Sequence, residues 1–476
     1  MAFILILFPV FIAIVALAIP SNRYRPWLLP VTACIHTICT FIALKYPEWG
    51  FKTSWLTLDP VSSIVLISIT LLFLFSSFYA VSYLKNRNEQ SNRFFTACMA
   101  TFLGLISLMI WSHHLGLMWV AMEGTTLVTA PLIYFNHSKK SIEATWKYLL
   151  VGSVGIALAL LGTFFLAYSA IYAGFKPTLD FNILLEKAPF LSKTWLRASC
   201  ILFIVGYGTK MGLAPMHAWK PDAYGEAPGI TGVILAGGVT SGAFLALMRM
   251  YQICNAAGET VFMSRLLIFI GLFSMATAGV FLIDQKDFKR MLAYSSVEHM
   301  GILVLGLGIG GPALFGTLLH IISNGMTKGI LFLSAGNIQR SYLSKNTSQV
   351  QGALKQLPVS ATLFLIGFLA ITGSPPFAPF ISEFSILNGA FLSGHFISGG
   401  LFVFFLLIIF IGMGKTVLQI VQGTVPQASE KSNYRDTFSS TAPIFCFLIV
   451  ILIIGLFLPP PLAEMIRNAA LFLENK

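Results

Sequence analysis

Charge is what this chain has least of. Only 10% of its 476 residues are Asp, Glu, Lys or Arg, against about 25% in an ordinary soluble domain. Hydrophobic residues make up 56%, and the mean hydropathy is +0.82. That scarcity excludes a soluble globular fold, whose surface could not hide so much apolar side chain. Cysteine is thin as well. Cys34, Cys39, Cys98, Cys200, Cys254 and Cys446 are scattered through apolar stretches with no CxxC spacing. Neither an iron–sulfur cluster nor a zinc site is therefore indicated, and no cofactor is expected in this chain. The first twenty residues, MAFILILFPVFIAIVALAIP, lack a basic leader region and a small-residue cleavage site. They read as a retained first span rather than a signal peptide. A net charge of +12 could point to nucleic acid. Here the basic residues sit in short loops between apolar segments instead of forming one stripe, so no nucleic-acid partner is expected.

What the chain has in abundance is apolar runs long enough to cross a bilayer, each needing about 20 residues. They predict an all-α polytopic membrane protein with about 14 transmembrane helices, here spans 1 to 14. The first six cover roughly Ala2–Ile19, Trp27–Ala43, Val61–Tyr83, Phe94–Trp111, Leu115–Phe135 and Ala144–Ala173. The next four cover Ala198–Trp219, Gly229–Met250, Leu266–Ile283 and Leu292–Gly308. The last four are Ala313–Ile338, Val359–Phe391, Phe396–Val421 and Pro443–Leu458. Loops after odd-numbered spans hold the excess of Lys and Arg. The positive-inside rule therefore places them in the cytoplasm and both termini in the periplasm of a bacterial inner membrane.

Three lysines, Lys210, Lys328 and Lys415, remain inside predicted spans. A charge at mid-depth costs at least about 2.5–3.5 kcal/mol, so such residues usually face protein or water and serve a function. Glu123 lies mid-span in WVAMEGTTLVTAP, Glu298 early in span 10 within AYSSVEHMG, and Glu383 after the break in ITGSPPFAPFISEF. His320, Asn324 and Lys328 recur at i, i+4 and i+8, which lines one face of span 11 with polar groups. His217 is a candidate proton carrier through water. Each has a structural alternative: Glu123 and Lys210 could be a fixed ion pair tying two spans together. Lys415 could snorkel to the surface on its long stem. Glu143 and Lys147, four apart, fit an interfacial pair. His113 and His114, in the turn before span 5, read as interfacial residues rather than metal ligands.

Two spans are interrupted. In GYGTKMGLAPMHAWKPDA, Pro215 removes a backbone donor and breaks span 7 just beyond Lys210. In span 12, Gly373, Pro375, Pro376 and Pro379 break the helix just before Glu383. Interrupted spans at corresponding places in two halves point to an inverted repeat with its ion site at the breaks. Aligning spans 4–8 with 9–13 pairs Glu123 with Glu298 at an offset of 175 and Lys210 with Glu383 at 173. The predicted organisation is N-terminal helices over 1–93, a first inverted repeat over 94–252 and a second over 264–422. Span 14 and a short interfacial tail follow over 440–476.

Five stretches carry a resemblance: WVAMEGTTLVTAPLIYF, GYGTKMGLAPMHAWKPDAYGEAP, DQKDFKRMLAYSSVEHMGI, HIISNGMTKGILFLSAGNI and GSPPFAPFISEFSIL. Together they resemble the antiporter-like subunits shared by respiratory complex I, Mrp cation/proton antiporters and membrane-bound hydrogenases, over nearly the whole chain. Within that family the chain looks most similar to hydrogenase-4 component F, through TTLVTAPLIYF, SSVEHMG and SAGNI. The resemblance implies a proton-translocating subunit that does no redox chemistry itself. Its partners would be other membrane subunits, a peripheral redox arm reached through them, the lipid bilayer, and protons. It assigns Glu123 and Lys210 to a charge pair, Lys328 with His320 to the central relay, and Glu383 to the terminal position. Span 8, GVILAGGVTSGAFLALMR, has neither the lysine nor the histidine that many relatives place there. The link from Lys210 to Lys328 is then expected to run through water. The rival readings are a non-conducting membrane anchor and a cation/proton antiporter or inorganic-carbon uptake subunit.

Overall fold

The computed structural model describes residues 1–46, 55–85, 87, 90–423 and 432–474. Among them the regular structure is helical. α1 (Ala2–Ala18), α2 (Leu28–Lys45), α3 (Pro60–Lys85), α4 (Arg93–Trp111), α5 (Leu115–Tyr134) and α6 (Lys139–Tyr172) follow the first six predicted runs. Short α7 (Phe181–Lys187) was not foreseen; Asp180 caps it by accepting from the N–H groups of Asn182 and Ile183. Span 7 is α8 (Lys193–Met211) and the break after it, α9 (Trp219–Glu226) falls in the stretch read as the loop that follows, and span 8 is α10 (Gly229–Val233) running through a π-helical segment into α11 (Thr240–Ala256). Then come α12 (Thr260–Leu282), α13 (Phe288–Ile309), α14 (Ala313–Tyr342) and one-turn α15 (Ala353–Gln356). Span 12 is α16 (Pro358–Ile371) and α17 (Ala378–Leu392). α18 (Phe396–Gln422), α19 (Phe438–Leu456) and amphipathic α20 (Pro460–Leu473) complete the chain. Among the described residues ten helical segments are long and apolar enough to cross a membrane, and the shorter α1, α16 and α17 are apolar too.

Packing sorts the helices into an inner and an outer set. The most apolar window of Gly229–Ala256 is 100% buried, whereas that of Phe396–Gln422 is 28% buried. So α10, α11 and α13, with α14, whose side chains are buried along nearly its whole length, form the interior, while α6, α12 and α18 turn apolar side chains outward to where lipid would lie. Lipid supplies no hydrophobic drive between helices, so close contacts rely on small residues. Where α12 crosses α13, a Cβ on Gly271 would stand 2.8 Å from the Gly301 carbonyl, so only glycine permits that approach. The π segment Ile234–Val239 sits at a similar crowding: a Cβ on Gly237 would meet Leu72, with the Gly325 Cα 3.4 Å away.

The two breaks are built alike. α8 stops at Met211, and Gly212 takes φ +74° as its left-handed cap, its N–H reaching the Gly208 and Thr209 carbonyls. The chain then runs free to Trp219, whose indole N–H donates to the Thr209 carbonyl at 2.8 Å. α16 ends at Ile371, Gly373 has φ +68°, and α17 starts at Ala378. The breaks fall where Pro215 and the Pro375–Pro376 pair predict them. α20 packs across α3 and α14, burying Ile466, Ala469 and Leu473.

Candidate functional site

The interior holds a line of ionisable side chains, built from the breaks outward. Glu123 and Thr126 lie one turn apart on α5 and so share a face. The Glu123 carboxylate accepts from the Ser153 hydroxyl at 2.8 Å through Oε1, while Oε2 stands 3.7 Å from Lys210 Nζ. Lys210, the penultimate residue of α8, is fully buried. Its ammonium donates to Thr126 Oγ1 and lies 5.6 Å from the Tyr148 ring centroid. Gly152 on α6 leaves the room: a Cβ there would stand 2.8 Å from Lys210 Nζ.

The second group lies on α13, α14 and α17. Lys328 Nζ donates to Ser295 Oγ at 2.9 Å. His320 Nε2 faces His299 Nδ1 at 3.0 Å, and its Nδ1 meets Ser382 Oγ at 2.9 Å. His299 stands between two carboxylates: its Nε2 is 3.8 Å from Glu298 and its Nδ1 4.0 Å from Glu383. All these side chains are buried. Glu383 Oε1 and Asn324 Oδ1 have no hydrogen-bond partner among the described residues. Glu383 is tucked against the positive-φ Gly373, where a Cβ would collide with its carboxylate.

Of the residues predicted from sequence, Glu123 and Lys210 come together, and so do Glu298, His320, Lys328 and Glu383. His217 lies in the α8–α9 break, half-buried, its ring 6.1 Å from Phe281 and 6.2 Å from Tyr294, with Nδ1 unpartnered. Lys415 stands apart: its side chain is 70% exposed and pairs with Asp284 at 2.5 Å. The long stem carries its charge out of the apolar run. Glu143 and Lys147 do form an exposed pair at 2.6 Å, and Lys147 also reaches Asp222 at 2.8 Å.

Sequence reasoning missed four buried groups. Lys220, at the start of α9, reads as a loop residue but is fully buried and donates to the Met211 and Ser296 carbonyls at 2.6 and 3.2 Å. The interval between Lys210 and Lys328, expected to hold only water, thus contains an amine. Lys289 is buried as well and donates to the Ala227 carbonyl. Arg249 and His113 both lie 3.2 Å from Asp59, making a buried cluster where sequence suggested an interfacial histidine. Burial alone would raise the Asp59 carboxyl, but Arg249, His113 and the Ser62 N–H hold it below the ordinary carboxylate range. His299 was overlooked beside Glu298. His299, His320 and Glu383 are the only three-residue group among the described residues with metal-ligand spacing. Their two facing ring nitrogens, however, are hydrogen-bonded to each other.

Near α9, a cavity of about 610 Å³ is lined by Asp222, Glu226, Lys286, Asp287, Arg290 and Lys345, among others. Asp222, two residues from Lys220, binds Lys147 and Arg290 there, and Lys345 bridges Glu226 and Asp287.

Broken helices beside buried Glu, Lys and His, inside an all-helical bundle, define a multi-pass membrane protein with ionisable side chains in its core. The comparisons make this specific. The family model described as NADH:quinone oxidoreductase/Mrp antiporter, TM, matches residues 112–409, and the chain belongs to that family. It is similar to a hydrogenase-4 component F homolog of Methylacidiphilum infernorum, 30% identical over 98% of this chain and 99% of the relative. It also resembles chains of two solved assemblies, the Mrp complex of Dietzia sp. DQ12-45-1b and respiratory complex I of Thermus thermophilus. The Mrp chain superposes at TM-score 0.88 with 18% identity, covering 100% of this chain and 97% of that one. The complex I chain superposes at 0.85 with 20% identity, covering 100% and 99%. These structural neighbours are subunits of multi-subunit membrane complexes.

Proposed function

We propose that this chain is a proton-translocating, antiporter-like subunit of a redox-coupled respiratory complex of the hydrogenase-4 or complex I type. It would lie in a bacterial inner membrane with both termini in the periplasm, beside other membrane subunits that link it to a peripheral redox arm. Spans 4–8 and 9–13 act as inverted repeats, each with one broken helix and one charged pair or cluster. The observation that carries this reading is Lys210: a fully buried ammonium, one residue from a helix break, with a carboxylate 3.7 Å away.

Desolvation favours a neutral amine and a nearby carboxylate favours an ammonium, so moving Glu123 switches Lys210 between the two. When a partner's conformational change draws Glu123 away, Lys210 gives up its proton toward Lys328. The Glu298–His299–His320–Glu383 group then passes a proton on, the imidazoles serving as both donor and acceptor. His217, in the wetted break, serves the exchange of protons with water. Lys415, exposed and paired with Asp284, takes no part.

Redox-driven proton uptake into vesicles holding the whole complex tests this. Lys210→Ala and Glu383→Gln are expected to lower uptake roughly a hundredfold or more with assembly intact. Unchanged uptake in both would establish the non-conducting anchor instead.

A further inference from the structure

Lys220 has no part in the relay just described, yet its position relates it to both Lys210 and Lys328. Its Nζ donates to the carbonyl of Met211, the residue after Lys210. It donates also to the carbonyl of Ser296, the residue after the Ser295 whose hydroxyl takes the Lys328 ammonium. One amine thus touches backbone adjoining each end of the interval. The α8 break makes the space for it: a Cβ on Gly212 would stand 2.5 Å from Lys220 Cδ and 3.2 Å from Nζ, at a residue whose φ of +74° already favours glycine.

The surroundings do not explain Lys220 as a structural cation. Among the described residues no carboxylate lies within ion-pair distance of it, although buried charges are ordinarily paired. Its hydrogen-bond partners are two carbonyls, which a neutral side-chain amide could serve equally well. Close by, the Ser296 and Tyr224 hydroxyls are buried beside each other, and the Tyr224 ring centroid is 5.6 Å from Nζ. Two hydroxyls, two carbonyls and an amine supply the two to four polar partners that an ordered water needs.

We propose that Lys220 is a proton-relay residue joining Lys210 to Lys328, an inference that rests on the translocating reading above. In the step it performs, an N–H bond of the Lys210 ammonium breaks and one forms on the neutral Lys220 amine, through water. Once Lys328 has given its own proton to the histidine–carboxylate group, Lys220 protonates the neutral Lys328 amine in the same way and returns to the neutral amine. The connection between the two halves therefore comes from α9, beside the break, rather than from the span 8 helix, which has neither lysine nor histidine.

The test is redox-driven proton uptake by vesicles of the whole complex, with native electrophoresis to confirm assembly. Lys220→Gln keeps donors for the two carbonyls but no exchangeable charge. Lys220→Arg keeps the charge but does not release a proton. Each is expected to lower uptake roughly tenfold or more, and Lys220→His to recover part of it with a displaced pH profile. Near wild-type uptake in the assembled Gln and Arg variants overturns the proposal, because a tether to the carbonyls would survive both. Should those variants fail to assemble, Lys220→His decides, and an unmoved pH profile overturns it. Lys210→Ala in parallel separates the two claims. Loss of uptake there with full uptake in Lys220→Gln removes Lys220 alone, whereas full uptake in Lys210→Ala removes the translocating reading and this inference with it.

Discussion

His299 Nδ1 and His320 Nε2 stand 3.0 Å apart on neighbouring helices, their rings stacked with planes 22° apart. The pair can hold one proton between its facing nitrogens, and a second hydrogen bond to Ser382 fixes His320. Replacing His299 or His320 by Gln is expected to lower proton uptake roughly tenfold or more. The double replacement should lower it no further, because groups acting as one unit are non-additive. Uptake rates of the four proteins in a double-mutant cycle check this, and additive losses would show two separate paths.

Gly152 sets where the Lys210 ammonium rests. A methyl group there would come within 2.8 Å of Nζ, the mobile end of a long side chain, so the lysine moves and the fold does not. Gly152→Ala should assemble normally and still reduce uptake several-fold, by shifting the ammonium away from Thr126 and Glu123. Proton uptake with native electrophoresis reads both effects.

Asp59 joins α3 to α11 through Arg249. Asp59→Asn leaves the guanidinium buried against a neutral partner and should destabilise the protein by about 3–5 kcal/mol. With its carboxyl held below the ordinary range, folded Asp59 stays ionised at pH values where the unfolded chain binds a proton. Its stabilising contribution is complete above about pH 4 and is lost as pH falls further. Melting temperatures of the purified complex between pH 7 and pH 3 should fall less steeply for Asp59→Asn than for the wild type.

Lys415 offers the opposite case. The Lys415–Asp284 pair is exposed on both sides, so Lys415→Met should leave proton uptake within twofold of wild type. A loss comparable to that of Lys210→Ala would return it to the pathway.

Much of this architecture is legible in the residues. Apolar runs mark the helices because lipid leaves no other way to satisfy a backbone amide. Pro215 and the Pro375–Pro376 pair mark the breaks because proline removes a donor. Glu123, Lys210, Lys328 and Glu383 stand out because each interrupts an apolar run. Lys220 and Lys289 do not stand out: they lie near the ends of apolar runs, where basic residues normally face water, and only α9 folding back inward buries them. The signal available for Lys220 was its place just past a break, in WKPDAYGE, with no acidic residue one turn before it. His299 was hidden by adjacency, since the more conspicuous Glu298 drew attention. Its four-residue spacing from Ser295 shows that it shares a face with the Lys328 partner.

The two sides of α9 answer to different solvents. Its outer side is fastened by Asp222 to Lys147 on α6 and to Arg290 on α13, and by Glu226 to Lys345. The pairs made by Arg290 and Lys345 line an open cavity, where dissolved salt screens charge over about 8 Å at physiological strength. Its inner side holds Lys220 among carbonyls that salt does not reach. Ionic strength on one face of the membrane thus loosens the mounting of this eight-residue helix while leaving its buried amine unshielded. A splint of this kind turns the composition of the surrounding water into a setting on how firmly the two halves are held together.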